Sequence, residues 1–204
     1  MKNIFFLLCF VPALMSCSGF SVKKVVSQKN ALSALKSSGV IVRVWKNSVL
    51  PVSDIESNIR YWFDESRKNN SLPFLPAGPL SYYADADRFC QLSEGKFLEH
   101  KSSGAVRVFL SDYREELSDL MKDNNLDSLI FYEVDGFFSP EFQLADVKSV
   151  IVIVDQALNV LYMDYYSKDV ELEEWDRDVI KKIVLDQISR RFVHSMQSLG
   201  YIKK

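Results

Sequence analysis

Glycine is scarce in this chain: seven residues, at 19, 39, 78, 95, 104, 136 and 200, are spread over 204. With such wide spacing there is no loop to cradle a phosphate, and a Walker loop, a dinucleotide fingerprint and a Gly-x-Ser-x-Gly elbow are all absent. Histidine is scarcer still. His100 and His194 stand alone, without the H-x-x-x-H or H-E-x-x-H spacing of a zinc site. Asp85 and Asp87 begin like a calcium loop, but Phe89 and Cys90 occupy the fifth and sixth positions, where a ligand and a glycine belong. The sequence therefore implies no cofactor, no metal and no recognisable catalytic set. One-sided charge is lacking as well. A formal net charge of −2 gives no electrostatic footprint for nucleic acid.

Cysteine is limited to Cys9, Cys17 and Cys90. After the first twenty residues no apolar run approaches the ~18 residues of a membrane-spanning helix. The one long apolar run is at the start, MKNIFFLLCFVPALMSCSGF. Lys2 gives it a positive flank, residues 4–11 form a short apolar core, and Pro12 and Ala13 end it. These are the three parts of a secretory signal. Leu14-Met15-Ser16-Cys17 resembles the lipobox of bacterial lipoproteins, with an aliphatic residue three before the cysteine and a small one directly before it. The resemblance implies a signal peptide over 1–16 and lipid attachment at Cys17. A thiol can attack a diacylglyceryl donor to give a stable thioether, and cleavage before Cys17 frees an α-amine for a further chain such as palmitate. Two or more chains make anchorage effectively stable, each buried methylene adding ~0.8 kcal/mol. The alternative is ordinary cleavage after Ser16 or Ser18 and release of a free protein. On the lipoprotein reading Cys9 leaves with the signal, Cys17 has no thiol, and Cys90 has no partner. The folded domain then has no disulfide and relies on its core.

The mature chain, 17–204, carries a net charge of −3 and has the length of one domain. Residues 17–30 read as the lipidated end and a polar tether, with Lys23 and Lys24 near the membrane. Residues 31–204 read as a single globular domain. A short helix is expected at "ALSALKSS" and a strand at "GVIVRVW" (39–45). "SDIESNIRYWFDESRKNN" follows as a helix opened by a Ser53–Glu56 capping box. "SLPFLPAGPLSYY" (71–83) carries three prolines among apolar groups and reads as a loop. Its Phe74, Tyr82 and Tyr83 are candidate contacts for a partner protein. "AVRVFL" (105–110) reads as a strand, with Ser111 capping the helix after it. Strands at 127–138, 147–155 and 160–167 follow, the last two joined by a hairpin whose Asn159 tolerates the left-handed conformation.

A long amphipathic helix closes the chain. Its stripe runs through Leu172, Trp175, Val179, Ile183, Ile188, Phe192, Met196 and Leu199, with acids Glu171, Glu173, Glu174 and Asp176 at its start and Gly200 as its cap. The expected fold is α/β (α+β), a mixed sheet packed with helices. That order resembles the envelope lipoprotein domains typified by the TolB amino-terminal domain, the curli lipoprotein CsgG and the penicillin-binding-protein activator LpoB. "NNLDSLIFYEVDG" and "VIVIVDQALNVLYMDYYS" stand where their two signature segments fall, with Phe131 and Asn159 in place of the usual glycines. The resemblance implies an anchored periplasmic protein that binds or helps assemble another envelope protein, and Ser18 after the cysteine resembles outer-membrane cargo. The competing reading is an envelope enzyme with carboxylates Glu133, Asp135 and Asp164 as an acid–base set.

Overall fold

The computed structural model describes residues 20–44, Ser53, Asp54, Ser57, Tyr61, Phe97, and residues 103–139, 144–172 and 176–200. Among them β1 (Phe20–Ser27), β2 (Ser38–Val44), β3 (Ser128–Ser139), β4 (Leu144–Asp155) and β5 (Val160–Glu171) form one sheet. Its strand order is β1-β5-β4-β3-β2. Only β2 runs parallel to its neighbour; the β3–β4, β4–β5 and β5–β1 ladders are antiparallel. This is the expected mixed sheet with helices.

β4 lies at the centre, and residues 150–154 of "VIVIV" have no exposed surface. A strand covered on both faces has no use for polar alternation, which is why its sequence is solidly β-branched. One face packs against α1 (Lys29–Leu32) and the final helix, α4 (Arg177–Ser198); Ile130, Tyr132, Ile151 and Ile153 meet Ile180, Val184, Ile188, Phe192 and Met196 there. The other face packs against α2 (Ser103–Asp112) and α3 (Arg114–Asp123), where Leu129, Phe131, Val150 and Val152 meet Val106, Phe109, Leu110, Leu117 and Met121. Phe97, helical and wholly buried, joins this second layer.

Several expectations need correction. Residues 105–110 are helical, within α2, and not a strand. Their Val-x-Val-x-Leu alternation imitates a strand, but Val108 is 55% exposed while Val106, Phe109 and Leu110 are buried. That is one helical face, continued by Leu117, Leu120 and Met121 of α3, and burial along it outweighs β-propensity. Ser111 caps nothing, since it lies inside α2 and Tyr113 holds the N-cap position of α3. Residues 20–27, expected within a tether, form the edge strand β1 paired from Phe20↔Lys168 to Ser27↔Tyr162. "FSVKKVVS" carries enough β-branched residues to complete the ladder despite its lysines.

In the β4–β5 hairpin the left-handed residue is Leu158, with φ 62°, and not Asn159. The buried Leu158 side chain joins the α2–α3 layer, which offsets the strain. Asn159 donates its backbone N–H and its amide to the Asp155 carboxylate at 2.8 and 3.0 Å.

α4 begins later than its apolar stripe suggests. Asp176 is its N-cap, accepting from the N–H groups of Asp178 and Val179, while Glu171 belongs to β5 and Leu172 is buried outside the helix. The inward row in the first half is therefore Ile180 and Val184, with Val179 and Ile183 only half-buried. Gly200 follows the helix with φ +80°, a conformation glycine adopts without cost to a side chain. α3 ends in a Schellman motif. Asn125 is left-handed at φ 52°, and the Leu126 N–H reaches back to the Met121 carbonyl at 2.8 Å.

Phe192 is 2% exposed and its ring centroid lies 4.8 Å from that of Tyr132. Phe192→Ala is expected to cost roughly 3–5 kcal/mol of stability, read as a lower urea midpoint at an unchanged m-value. A loss below ~1 kcal/mol would mean that α4 is not docked along this row.

Candidate functional site

The three carboxylates expected to act together lie on opposite sides of the sheet. The ladders place Glu133 opposite Val150 and Val150 opposite Tyr165, whereas Asp164 faces Ile151 and Ile151 faces Tyr132. Directly paired residues share a face and successive residues alternate. Glu133 and Asp135 therefore point to the α2–α3 side, and Asp164 points to the α4 side. Alternation along one strand face would also fit solvent-facing positions for Glu133 and Asp135, but Glu133 is 2% exposed and Asp164 equally so. A single acid–base site formed by all three is excluded by this register.

Each buried acid meets an arginine. Glu133 pairs with Arg43 at 3.1 Å, its direct neighbour in the parallel β2–β3 ladder. The guanidinium carbon of Arg43 stands 4.1 Å from the Phe97 ring centroid and 5.0 Å from that of Phe109. Phe97, Phe109 and Phe131 pack edge to face around it, so the cation lies against ring faces with the Glu133 carboxylate beside it. On the other face Arg191 of α4 reaches Asp164 in an ion pair. Tyr162 Oη donates to the same carboxylate oxygen at 2.6 Å, and Ser195 Oγ approaches it at 3.4 Å. Arg191 also lies 5.1 Å from the Tyr166 ring centroid. Beside this group Tyr132 Oη donates to the Ile188 carbonyl at 2.6 Å.

These phenols remain neutral. Burial, more than any neighbouring charge, pushes Tyr132 well above its ordinary value. Burial also raises Tyr162, helped by the charge and hydrogen bond of Asp164. Neither can serve as a phenolate base near neutrality. Together the two groups are internal braces, closed by packed helices.

A third polar row is more open. Asp135 is opposite Lys148 in the β3–β4 ladder, and Lys148 bonds Asp146 two residues before it. Burial raises Asp135 above its ordinary 3.8, against the lowering charge of Lys148. Burial opposes the Lys148 ammonium, but the Asp146 hydrogen bond and charge outweigh that and hold it above its usual value. At the opposite end of the sheet an open cleft is lined by Leu35, Lys36, Asp127, Asp155 and Gln156. Its polar groups serve the loops themselves: Lys36 N–H donates to Asp127 at 3.0 Å, and Gln156 donates to the Leu126 carbonyl at 2.9 Å.

Cys17, Phe74, Tyr82, Tyr83, Cys90 and His100 lie outside the described residues, as do Asp85 and Asp87. His194 is exposed on α4. Among the described residues no three His, Cys, Asp or Glu side chains gather as metal ligands, and no helix is long and apolar enough to cross a membrane. The sequence reading missed Arg43 and Arg191. A single arginine inside "VIVRV" and a single aspartate inside "LYMDYY" are the signal that could have found them, because an ion in an apolar strand needs a partner.

No protein-family model and no curated protein matches this sequence. Among solved structures, similar chains include the PelC dodecamer from Paraburkholderia phytofirmans, at 8% identity and a TM-score of 0.48 over 91% of this chain and 100% of that one. A point variant of the same dodecamer gives 7% identity and 0.47 over the same shares. The lipoprotein GNA1162 from Neisseria meningitidis gives 10% identity and 0.37 over 78% of this chain and 99% of that one.

Two expectations follow from the geometry. Arg191→Met strands the Asp164 carboxylate in the core and should cost roughly 3–5 kcal/mol. Adding Asp164→Asn should recover part of that loss, and additive losses in a double-mutant cycle would show that the pair is not coupled. For Asp135, the folded protein holds more proton than the unfolded one between about 3.8 and the raised folded value, so stability falls as pH rises through that window. Asp135→Asn should therefore raise the urea midpoint at neutral pH and leave it unchanged below the ordinary carboxylate range. A lower midpoint at neutral pH would mean that Lys148 pairing dominates at this site.

Proposed function

We propose that this chain is a lipid-anchored protein of the bacterial cell envelope, attached through Cys17, that binds or helps assemble another envelope protein. The observation that carries the reading is the amino-terminal frame: Lys2, the apolar core at 4–11, and Leu14-Met15-Ser16 directly before Cys17. A thioether-linked diacylglyceryl group with a palmitate or similar chain on the amine would hold the protein on the bilayer. Ser18 favours the outer membrane, with the domain in the periplasm.

A binding role is favoured over an enzymatic one because the acids proposed for catalysis are split between two faces, and Glu133 and Asp164 each sit beside an arginine. Phe74, Tyr82 and Tyr83 are the proposed partner contacts, since the sequence sets them among prolines at 73, 76 and 79, which disfavour a regular helix there.

Mass spectrometry of the mature amino terminus tests the anchor. The expected product begins at Cys17 with a diacylglyceryl group and an acylated amine, and Cys17→Ser should leave the membrane fraction. A product beginning unmodified at Ser18 or Gly19 refutes it. For the partner, crosslinking in the native envelope should capture one envelope protein, and changing Phe74, Tyr82 and Tyr83 together to serine should lose it; undiminished recovery clears that segment of the role.

A further inference from the structure

We infer that the sheet is strapped end-on to the bilayer, with the Phe20 end of β1 against the lipid headgroups and the β4–β5 hairpin pointing away. The inference rests on lipid attachment at Cys17 and adds to it an orientation that comes from the fold.

The argument is one of chain length. β1 begins at Phe20 and is laddered to β5 from its first residue, Phe20↔Lys168. Only three peptide steps separate Phe20 from Cys17, which span at most ~11 Å when fully extended. The headgroup layer on each side of a bilayer is itself about 5–8 Å thick. The acyl chains must enter the hydrocarbon, so the linking residues are used up in crossing that layer. The first residue of β1 then lies at the outer edge of the headgroups. A long tether would let either end of the sheet approach the bilayer, whereas a link this short keeps the Phe20 end within about 11 Å of the anchor.

The rest of the sheet fixes what faces the membrane. Lys168–Glu171 of β5 pair with Leu144–Val147 of β4 at the Phe20 end, and Asp176 and Asp178 open α4 shortly after β5 ends. At the other end of β1, seven residue steps or ~23 Å away, lie the Gln28–Leu161 backbone bond, α1 and the Asp155–Asn159 hairpin. The open cleft beside Lys36 and Asp127 is at this far end, so it faces the periplasm and is reachable by another protein.

Charge does not produce this orientation. Among the described residues this end mixes Lys148, Lys168 and Arg177 with Asp146, Asp169, Glu171, Asp176 and Asp178, and Lys23 and Lys24 lie further along β1. A mixed set gains little net attraction from anionic headgroups, so the covalent strap sets the distance. Salt should then leave the geometry unchanged, unlike an adsorbed basic patch, which weakens as the screening length shortens.

The test uses the full lipidated protein in phosphatidylcholine vesicles doped with a headgroup nitroxide lipid. In a Cys90→Ser background, a thiol fluorophore is placed by Asp169→Cys or by Ala157→Cys; both positions are exposed. Quenching should be several-fold stronger at 169 than at 157, and unchanged by salt. A flexible Gly-Ser segment inserted after Gly19 should abolish the difference while leaving attachment intact. Equal quenching at the two positions in the parent protein, or stronger quenching at 157, overturns the orientation. A mass spectrum on the same sample separates the two ideas. Lipidated Cys17 with equal quenching refutes the strap alone, whereas a protein starting unmodified at Ser18 or Gly19 removes the anchor and the strap together.

Discussion

Burial of β4 on both faces is the constraint from which the rest of the structure follows. Residues 150–154 have no exposed surface, and each such aliphatic side chain contributes about 1.5–3 kcal/mol relative to solvent exposure. Alternating residues point to opposite faces, so both must be covered at once. α4 covers one with a row spaced by four residues, Ile180 to Met196. α2 and α3 cover the other with residues drawn from a broken helix pair, because Tyr113 interrupts the helical path between them. The two apolar layers are the main source of stability among the described residues.

A sheet closed on both faces has to resolve every ion its strands carry. Arg43 and Asp164 sit on strands whose neighbours are apolar, and both are buried. Desolvation makes such pairs weak contributors to net stability, but removing one partner is costly. Their physical consequence is registry. Arg43 and Glu133 are directly opposite in the β2–β3 ladder. A slip of one residue would send one of them to the α4 face, where aliphatic side chains await it. Arg191 does the corresponding work for α4. It immediately precedes Phe192, so pairing with Asp164 fixes the rotation that turns Phe192 and Ile188 onto Tyr132. In this way two ion pairs specify an alignment that apolar packing alone would permit in several forms.

Much of this was legible in the residues. β3, β4, β5, β2 and the final helix follow from β-branched runs and an amphipathic apolar spacing, and the end of that helix from Gly200; its start at Asp176 does not, since the apolar stripe runs back to Leu172. What was not legible depended on partners distant in sequence. "AVRVFL" alternates like a strand, and only the layer formed with Leu117 and Met121 makes it a helix. "FSVKKVVS" is polar enough to pass for linker until β5 offers it an edge. Glu133 fitted a solvent-facing position equally well because strand alternation identifies a side of the sheet but not what covers that side; Phe97, Phe109 and Arg43 do. The opposition of Glu133 and Asp164 follows from register, and one sequence without its pairings does not state register.

β1 joins the proposed anchor to the sheet. An open sheet edge is a template for pairing with other chains, and β5 has such an edge until β1 covers it through seven paired residues. The residues that complete the sheet therefore begin three positions after the cysteine proposed as the anchor. Cleavage between Ser16 and Cys17 leaves the whole of β1 in place, as does cleavage after Ser18, but any cut several residues further on would uncover β5. On that proposal anchor and fold are mechanically continuous: force on a lipid at Cys17 would enter the β1–β5 ladder at its Phe20 end. Phe20↔Lys168 would take it first, while the Gln28–Leu161 backbone bond and α1 hold the far end. The bulge between Lys24 and Val26 divides that ladder into five pairs on the Phe20 side and two on the Ser27 side, so most of the pairing that covers the β5 edge lies next to the proposed anchor.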